Sequence, residues 1–384
     1  MLIIFFIINC IYLFNIILPK IIEFAKIVIF FESEAFFLKK TFSVANYLVF
    51  LQNEMKRFLL HIALFIMSCF LLYLPLVTVA GVAGIISGVK FIPANYGLMG
   101  MRLEEGAEMA LHGGPDVLFL GSSHCYRSFD TRLIDSAGIR SLNLGSSNQT
   151  PRQTYALLQR FFERYSISPE LVVIEVHPDI MESSGNESAI DILSNTYIDR
   201  PMLKMALRQR SLQVFNTMCC SYFNRLIRGD KAVVAQLTAD SIVHVTTKSG
   251  DTTINVDFAY CNGGFVEVTP YCYKPIPLEP KTINVSSEQL EWLDMCLGLL
   301  EYHSTPYLLV EVPSTHSRYK SYTNHADFEK QIRSLVDLDS EYLNLNEDRR
   351  LMAQLDDTTC FFDDDHLNRK GATILTKYII QCIL

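Results

Sequence analysis

Phe119-Leu120-Gly121-Ser122-Ser123-His124 decides the reading of this chain. An apolar run, 116–120, breaks into a turn of small residues that presents a serine. Near the other end stands Phe362-Asp363-Asp364-Asp365-His366-Leu367-Asn368, an aspartate three residues before a histidine and just ahead of a helical pattern. A serine hydroxyl is a poor nucleophile until an imidazole takes its proton and a carboxylate holds that imidazole. The two stretches together supply all three groups.

Outward from the first stretch, short apolar runs alternate with helical patterns. The runs are 116–120, 141–144, 171–176, 307–312 and 359–362, each nearly continuous in apolar residues, as strands buried on both faces must be. Strands alternating with helices predict a parallel sheet with helices on both faces. Pro151 opens a helix over 151–165 with Tyr155, Leu158, Phe161, Phe162 and Tyr165 on one face. Ser286-Ser287-Glu288-Gln289 has capping-box spacing ahead of Leu290, Leu293, Leu297 and Leu300, and a last helix starts near Asn368.

Residues 179–285 break this rhythm and read as one insertion. It holds a helical stretch over 200–228, a hairpin of 242–247 and 252–258 turned by Lys248-Ser249-Gly250-Asp251, and a β-like piece at 264–269. Leaving the carboxyl end of the third strand, it would overhang the crevice where open α/β sheets place their sites, as a lid or substrate platform. Its Lys204, Arg208, Arg210, Arg225 and Arg228 fall at near-helical spacing, as a solvated face or a surface for an anionic polymer or lipid headgroups.

The N-terminus carries a membrane signal. Residues 58–89 hold no Asp, Glu, Lys or Arg, and Met55-Lys56-Arg57 stands directly before them. About 20 apolar residues span a bilayer, so this is a signal anchor without a convincing cleavage site. Residues 1–54 are expected to be either a gene-model extension before a true start at Met55 or a further apolar helix. Lys20, Lys26, Lys39, Lys40, Lys56 and Arg57 precede the anchor and hold that side in the cytoplasm, placing residues 90–384 outside it, in the periplasm or at the cell surface.

A net charge of -8 gives no global reason to expect nucleic acid. Ten cysteines show no CxxC pair and no zinc spacing. They read as packing thiols or as one or two disulfides, and they do not decide the compartment.

Gly121-Ser122-Ser123-His124 resembles the first block of the SGNH/GDSL hydrolase superfamily, Asn143-Leu144-Gly145 its second block, and Asp363-Asp364-Asp365-His366 its last, Asp-x-x-His. His366-Leu367-Asn368 with Gly371-Ala372 is similar to the membrane-anchored members, among them the D-alanyl transfer protein of teichoic acid synthesis and the alginate O-acetylation proteins. The resemblance covers roughly 115–178 and 285–384. It implies a three-layer α/β/α sandwich around a five-stranded parallel, flavodoxin-like sheet of the SGNH type. It further implies Ser123 as nucleophile, His366 as base, Asp363 as its orienting carboxylate, and the amides of Ser123 and Gly145 as oxyanion donors. Ser122 is the rival nucleophile. Asp364 and Asp365 read as charges at a helix N-terminus.

The family's third block, Gly-x-Asn-Asp, is missing: the third strand ends Glu175-Val176-His177-Pro178-Asp179. Asn148 or Gln149 is the candidate substitute for its oxyanion asparagine. His124, His177 and His316 are candidate pocket residues. No metal or organic cofactor is expected. The expected activity is that of a serine esterase or O-acyltransferase on acyl esters of cell-envelope polysaccharide, with a membrane-bound O-acyltransferase as a candidate partner. The alternatives are a non-catalytic accessory protein of such a system and a plain lipid or carboxyl esterase.

Overall fold

The structure is a computed structural model that describes residues 40–82, 99–228, 242–249, 252–269, 273–338 and 341–382. The chain divides into two compact units, Met1–Ile86 and Ser87–Leu384. Among the described residues of the first, a helix runs Lys40–Val82 with Pro75 inside it. Its segment Met55–Tyr73 is long and apolar enough to cross a bilayer, and it exposes Leu59, Leu60, Ile66, Phe70 and Leu71. The expected anchor is thus helical as far as Val82. Its remaining residues, and 1–39 of the expected extension, lie outside the described residues.

The described residues of the second unit form eight strands: β1 Val117–Leu120, β2 Ser141–Asn143, β3 Leu171–Glu175, β4 Ile242–Ser249, β5 Thr252–Tyr260, β6 Val266–Val268, β7 Tyr307–Glu311 and β8 Tyr342–Asn344. Five of them form an all-parallel sheet in the order β2-β1-β3-β7-β8. Leu118 faces Leu142, Phe119 faces Val173, and Ile174 faces Leu309. Val117, Phe119, Val173 and Val310 pack with Leu375 and Ile379 of the last helix, Arg369–Cys382. Leu118, Leu120, Val172, Ile174 and Leu309 point the other way by strand alternation and are equally buried. Helices therefore cover both faces. The strand order reverses between β1 and β3, so the crevice of this α/β sheet opens beyond their carboxyl ends.

Four of the five sheet strands lie where the apolar runs predict them; the fifth does not. Residues 359–362 form a tight loop, because Asn368 Nδ2 donates to the carbonyls of Thr359 and Phe361 and the amide of Phe362 donates to His366 O. With those backbone groups engaged, the segment cannot extend a sheet. The fifth strand is β8, only three residues long, with Tyr342 Oη donating to the buried Glu311 carboxylate. The helix over 151–165 is real, but beyond Gln159 it continues as a π-turn, Arg160–Tyr165. Its N-terminus, rather than Ser286–Gln289, carries the capping box: Thr150 and Gln153 bond reciprocally, whereas Gln289 donates to Ser183 O.

Segment 179–285 holds helices Asn186–Asn195, Arg200–Arg208 and Leu212–Arg228, followed by the antiparallel sheet β4-β5-β6. Gly250 and Asp251 of the hairpin turn, and the side chains of Arg225 and Arg228, lie outside the described residues. The guanidinium of Arg208 stands over Trp292. Phe258, Tyr260, Val266 and Val268 pack on Tyr126 and Phe362, the first three residues past Ser123 and the second directly before Asp363. The loop between β5 and β6 closes on β2, where Asn143 N donates to Gly263 O at 2.7 Å. Gly264 follows with φ +97°, and a Cβ there would stand 2.1 Å from Asn143 O. Gly264→Ala is accordingly expected to destabilise the second unit by roughly 2–4 kcal/mol in denaturant unfolding, through a clash with backbone in a left-handed conformation. A loss below about 1 kcal/mol would mean the loop can leave β2 freely. Among the described cysteines, Cys69, Cys125, Cys219, Cys261, Cys296 and Cys360 are free.

Candidate active site

The turn after β1 is held from beneath by β3. Gly121 takes φ +154°, and a Cβ on it would lie 2.6 Å from both Cβ and Oε2 of Glu175. Only glycine lets the turn approach this closely. Glu175 Oε2 then accepts the amide of Ser122 at 2.6 Å. Ser122 is fully buried and caps the helix Ser123–Ser128; its Oγ accepts the amide of His124 and lies 2.8 Å from His124 Nδ1. Ser123 opens the helix, is the one half-exposed residue of Gly121–His124, and has its Oγ 2.7 Å from His366 Nε2. Of the two serines, the structure brings Ser123 to the imidazole and directs Ser122 away from it.

His366 is held from behind by its own loop. Asp363 Oδ1 accepts the amides of Asp365 and His366 at 3.1 and 2.7 Å, and Asp363 Oδ2 lies 2.9 Å from His366 Nδ1. A second carboxylate also reaches that nitrogen: Asp365 Oδ1 lies 2.7 Å from it. The expectation that Asp364 and Asp365 are helix-terminal charges is therefore corrected. The helix begins at Arg369 with Asn368 capping it, so the aspartates sit in the preceding loop and Asp365 turns into the site. Arg318 anchors the loop, bonding Asp179 at 2.8 Å and Asp365 at 3.4 Å, while Thr315 donates twice to Asp364 O.

No protein-family model and no curated protein matches this chain. What the site can do follows from its geometry.

Burial alone would lower the pKa of His366, but Asp363 and Asp365 outweigh it and push it up to about 10. Burial would raise Asp365; His366 and His124 overcome that and hold it well below the usual carboxylate range. The protonated form of His366 is thereby favoured, and in that form Nε2 would donate to Ser123 Oγ.

Two of the three candidate pocket histidines join this site. His124 stacks on His366 at 4.3 Å and 2° and on His177 at 4.0 Å and 13°, forming a column of three imidazoles. Its Nε2 lies 3.4 Å from Asp365 Oδ2. His177 Nδ1 accepts the amide of Asp179, capping the helix Pro178–Glu182, and burial drives its pKa well below the ordinary value. His316 does not join: it is 56% exposed on its side chain and pairs with Asp357 at 3.0 Å. Two groups, His124/His177/Asp365 and Asp363/Asp365/His366, bring nitrogen and oxygen atoms within 4.8 Å of one another. In the first, near-parallel rings aim their lone pairs side by side rather than at one ion. In the second, Nδ1 already bonds both carboxylates. Both arrangements favour proton handling over metal ligation.

The backbone and side-chain groups expected as oxyanion donors are not all free. Gly145 does approach the nucleophile turn, since a Cβ there would stand 3.0 Å from Ser122 O. Its amide, however, donates to Asn143 Oδ1 at 3.0 Å, because that side chain curls back along its own strand end while Nδ2 donates to Cys125 O. Gln149 is engaged by Ser146 and Thr154. The Ser123 amide and the half-buried Asn148 side chain, on a residue at φ +55°, have no hydrogen-bond partner among the described residues. These two are the donors left free. Asn148→Ala is expected to lower kcat about 10²-fold with little change in KM, as loss of one oxyanion donor does; equal activity would remove Asn148 from the hole.

Sequence reading misses Glu175, Asp365 and Arg318. A carboxylate closing the apolar run of β3 is the one available signal for Glu175. The others depend on loop and helix geometry that spacing does not encode.

Proposed function

We propose that this chain is a membrane-anchored serine esterase or O-acyltransferase of the SGNH type, acting outside the cytoplasm on acyl esters of envelope polysaccharide. One observation carries the chemistry: Ser123 Oγ, His366 and Asp363 stand in an unbroken hydrogen-bonded line at the carboxyl end of a parallel sheet. Neutral His366 takes the proton of Ser123 as Oγ attacks the ester carbonyl. The tetrahedral oxyanion is met by the Ser123 amide and Asn148. Collapse expels the alcohol, which takes the proton from His366, and leaves an acyl-serine. Water or a sugar hydroxyl, deprotonated by the same imidazole, then accepts the acyl group. The apolar helix Met55–Tyr73 and the basic residues before it support the anchor and its orientation. The polysaccharide substrate rests on resemblance to anchored relatives.

The test uses the full chain in detergent, a fluorophosphonate probe and p-nitrophenyl acetate. Covalent labelling with turnover is the expected result. A second reading, a non-catalytic accessory protein, is favoured by the engaged Gly145 amide and the raised His366 pKa. Failure to label anywhere from about pH 6 to about pH 10, a window that spans both ordinary and raised histidine pKa values, would establish it instead.

A further inference from the structure

Arg127 lies one helical turn beyond Ser123, so both side chains leave the same side of the helix Ser123–Ser128. It is only 6% exposed. Its guanidinium carbon stands 4.6 Å from the ring centres of both Phe258 and Phe362, and 5.6 Å from that of Tyr126. Phe362 in turn lies 5.4 Å from His366, so a single ring separates the guanidinium from the catalytic imidazole.

What sets Arg127 apart is that none of its nitrogens makes a hydrogen bond or ion pair among the described residues, and Nε is buried without a partner. The other buried arginines each keep at least one hydrogen bond: Arg160 bonds Asp199 and Tyr197 O, Arg152 bonds Gln209 and Glu288, and Arg102, whose Nη1 and Nη2 are unpartnered, donates Nε to Gly264 O. Burying a charge without a counter-ion is costly, and such groups are rarely left unpaired. Aromatic faces stabilise the cation through their π-systems but accept none of its in-plane N–H bonds. The donor edge of a planar fork is therefore left unmatched among the described residues, and that fork matches carboxylate and phosphate oxygens.

We propose that Arg127 binds an anionic oxygen group of the substrate, carboxylate or phosphate, beside the acyl centre at Ser123. The inference deepens, and rests on, the serine acyl-transfer reading. Phe258 comes from segment 179–285, so that segment builds one wall of the subsite.

Two measurements on the full chain in detergent test this. The first is the rise in melting temperature given by inorganic phosphate and by succinate, each against chloride at equal ionic strength. It needs no catalysis and tells the two anions apart. Wild type is expected to be stabilised by at least one, and R127Q by neither; a shift retained in R127Q, or absent from wild type, overturns the proposal. The second is the kcat/KM ratio of p-nitrophenyl hemisuccinate to p-nitrophenyl acetate. Both esters meet the same molecules, so any loss of folded protein cancels. The ratio is expected to fall about 100-fold in R127Q and less in R127K, as loss of a charge-assisted pair does; an unaltered ratio overturns a role in substrate selection. Should R127Q fail to fold, R127K decides, and an unreduced shift and ratio then overturn the proposal. If wild type turns over neither ester while the anion shift is lost in R127Q, the esterase reading fails and the anion site stands.

Discussion

Ser123→Ala is expected to abolish fluorophosphonate labelling and to lower ester turnover by roughly 10⁴–10⁶-fold, the range seen when a triad nucleophile is removed. Ser122→Ala should keep its label and most of its rate, because Ser122 Oγ contacts His124 rather than His366. The pair of variants separates nucleophile from neighbour, since both remove one hydroxyl from the same turn. Labelling that survives Ser123→Ala would place the reactive hydroxyl elsewhere.

Asp365→Asn is expected to do something less usual, which is to accelerate the reaction at neutral pH. Only neutral His366 can take the serine proton, and the two carboxylates that raise its pKa to about 10 leave that form scarce near pH 7. The labelling rate of the wild type should therefore climb through the alkaline range. Removing the Asp365 charge lowers the His366 pKa and moves the limb to lower pH, a gain of about tenfold at neutral pH for each unit moved. Asp363→Asn should instead lose about 10⁴-fold at every pH, because Asp363 also fixes the backbone of His366 and so the ring's direction. If the behaviours are exchanged, Asp365 is the orienting carboxylate. The same pKa links protons to folding. Because the folded value lies above the unfolded one, near 6.5, the stabilisation is full below about pH 6.5 and is lost as pH rises through about 10.

Much of this site is legible in the amino-acid sequence, for an identifiable reason. Ser123 and His366 sit in short local patterns, a strand breaking into small residues and an aspartate three before a histidine, and such patterns report local geometry directly. Asp365 is misleading in sequence because an Asp beside a helix start reads as a dipole charge; only the side-chain bonds of Asp363 to the amides of Asp365 and His366 turn it inward. β8 is invisible there because three residues at a sheet edge carry no periodic signal. The Phe361-Phe362 pair imitates a strand because both rings are buried, Phe361 in the core and Phe362 under Arg127. His316 follows β7 closely enough to suggest the pocket, but Pro313-Ser314-Thr315 turns the chain into the helix His316–Ser321, whose first residue faces solvent. Arg127 offers no signal, since a lone arginine in a short helix acquires meaning only from what fails to pair with it.

The last helix does more than cover the sheet. Thr376 Oγ1 accepts the amide of Asp130 and donates to Ser128 O, so the last helix is fastened to the end of the helix that Ser123 opens. Ser123 and His366 are 243 positions apart. During synthesis at about 5–20 residues per second, the serine would precede its base by roughly 12–50 s. A nascent chain thus carries the Ser123 hydroxyl before the imidazole that bonds it in the folded domain. The hydrogen-bonded line from Ser123 through His366 to Asp363 closes only once residues 363–366 have been made.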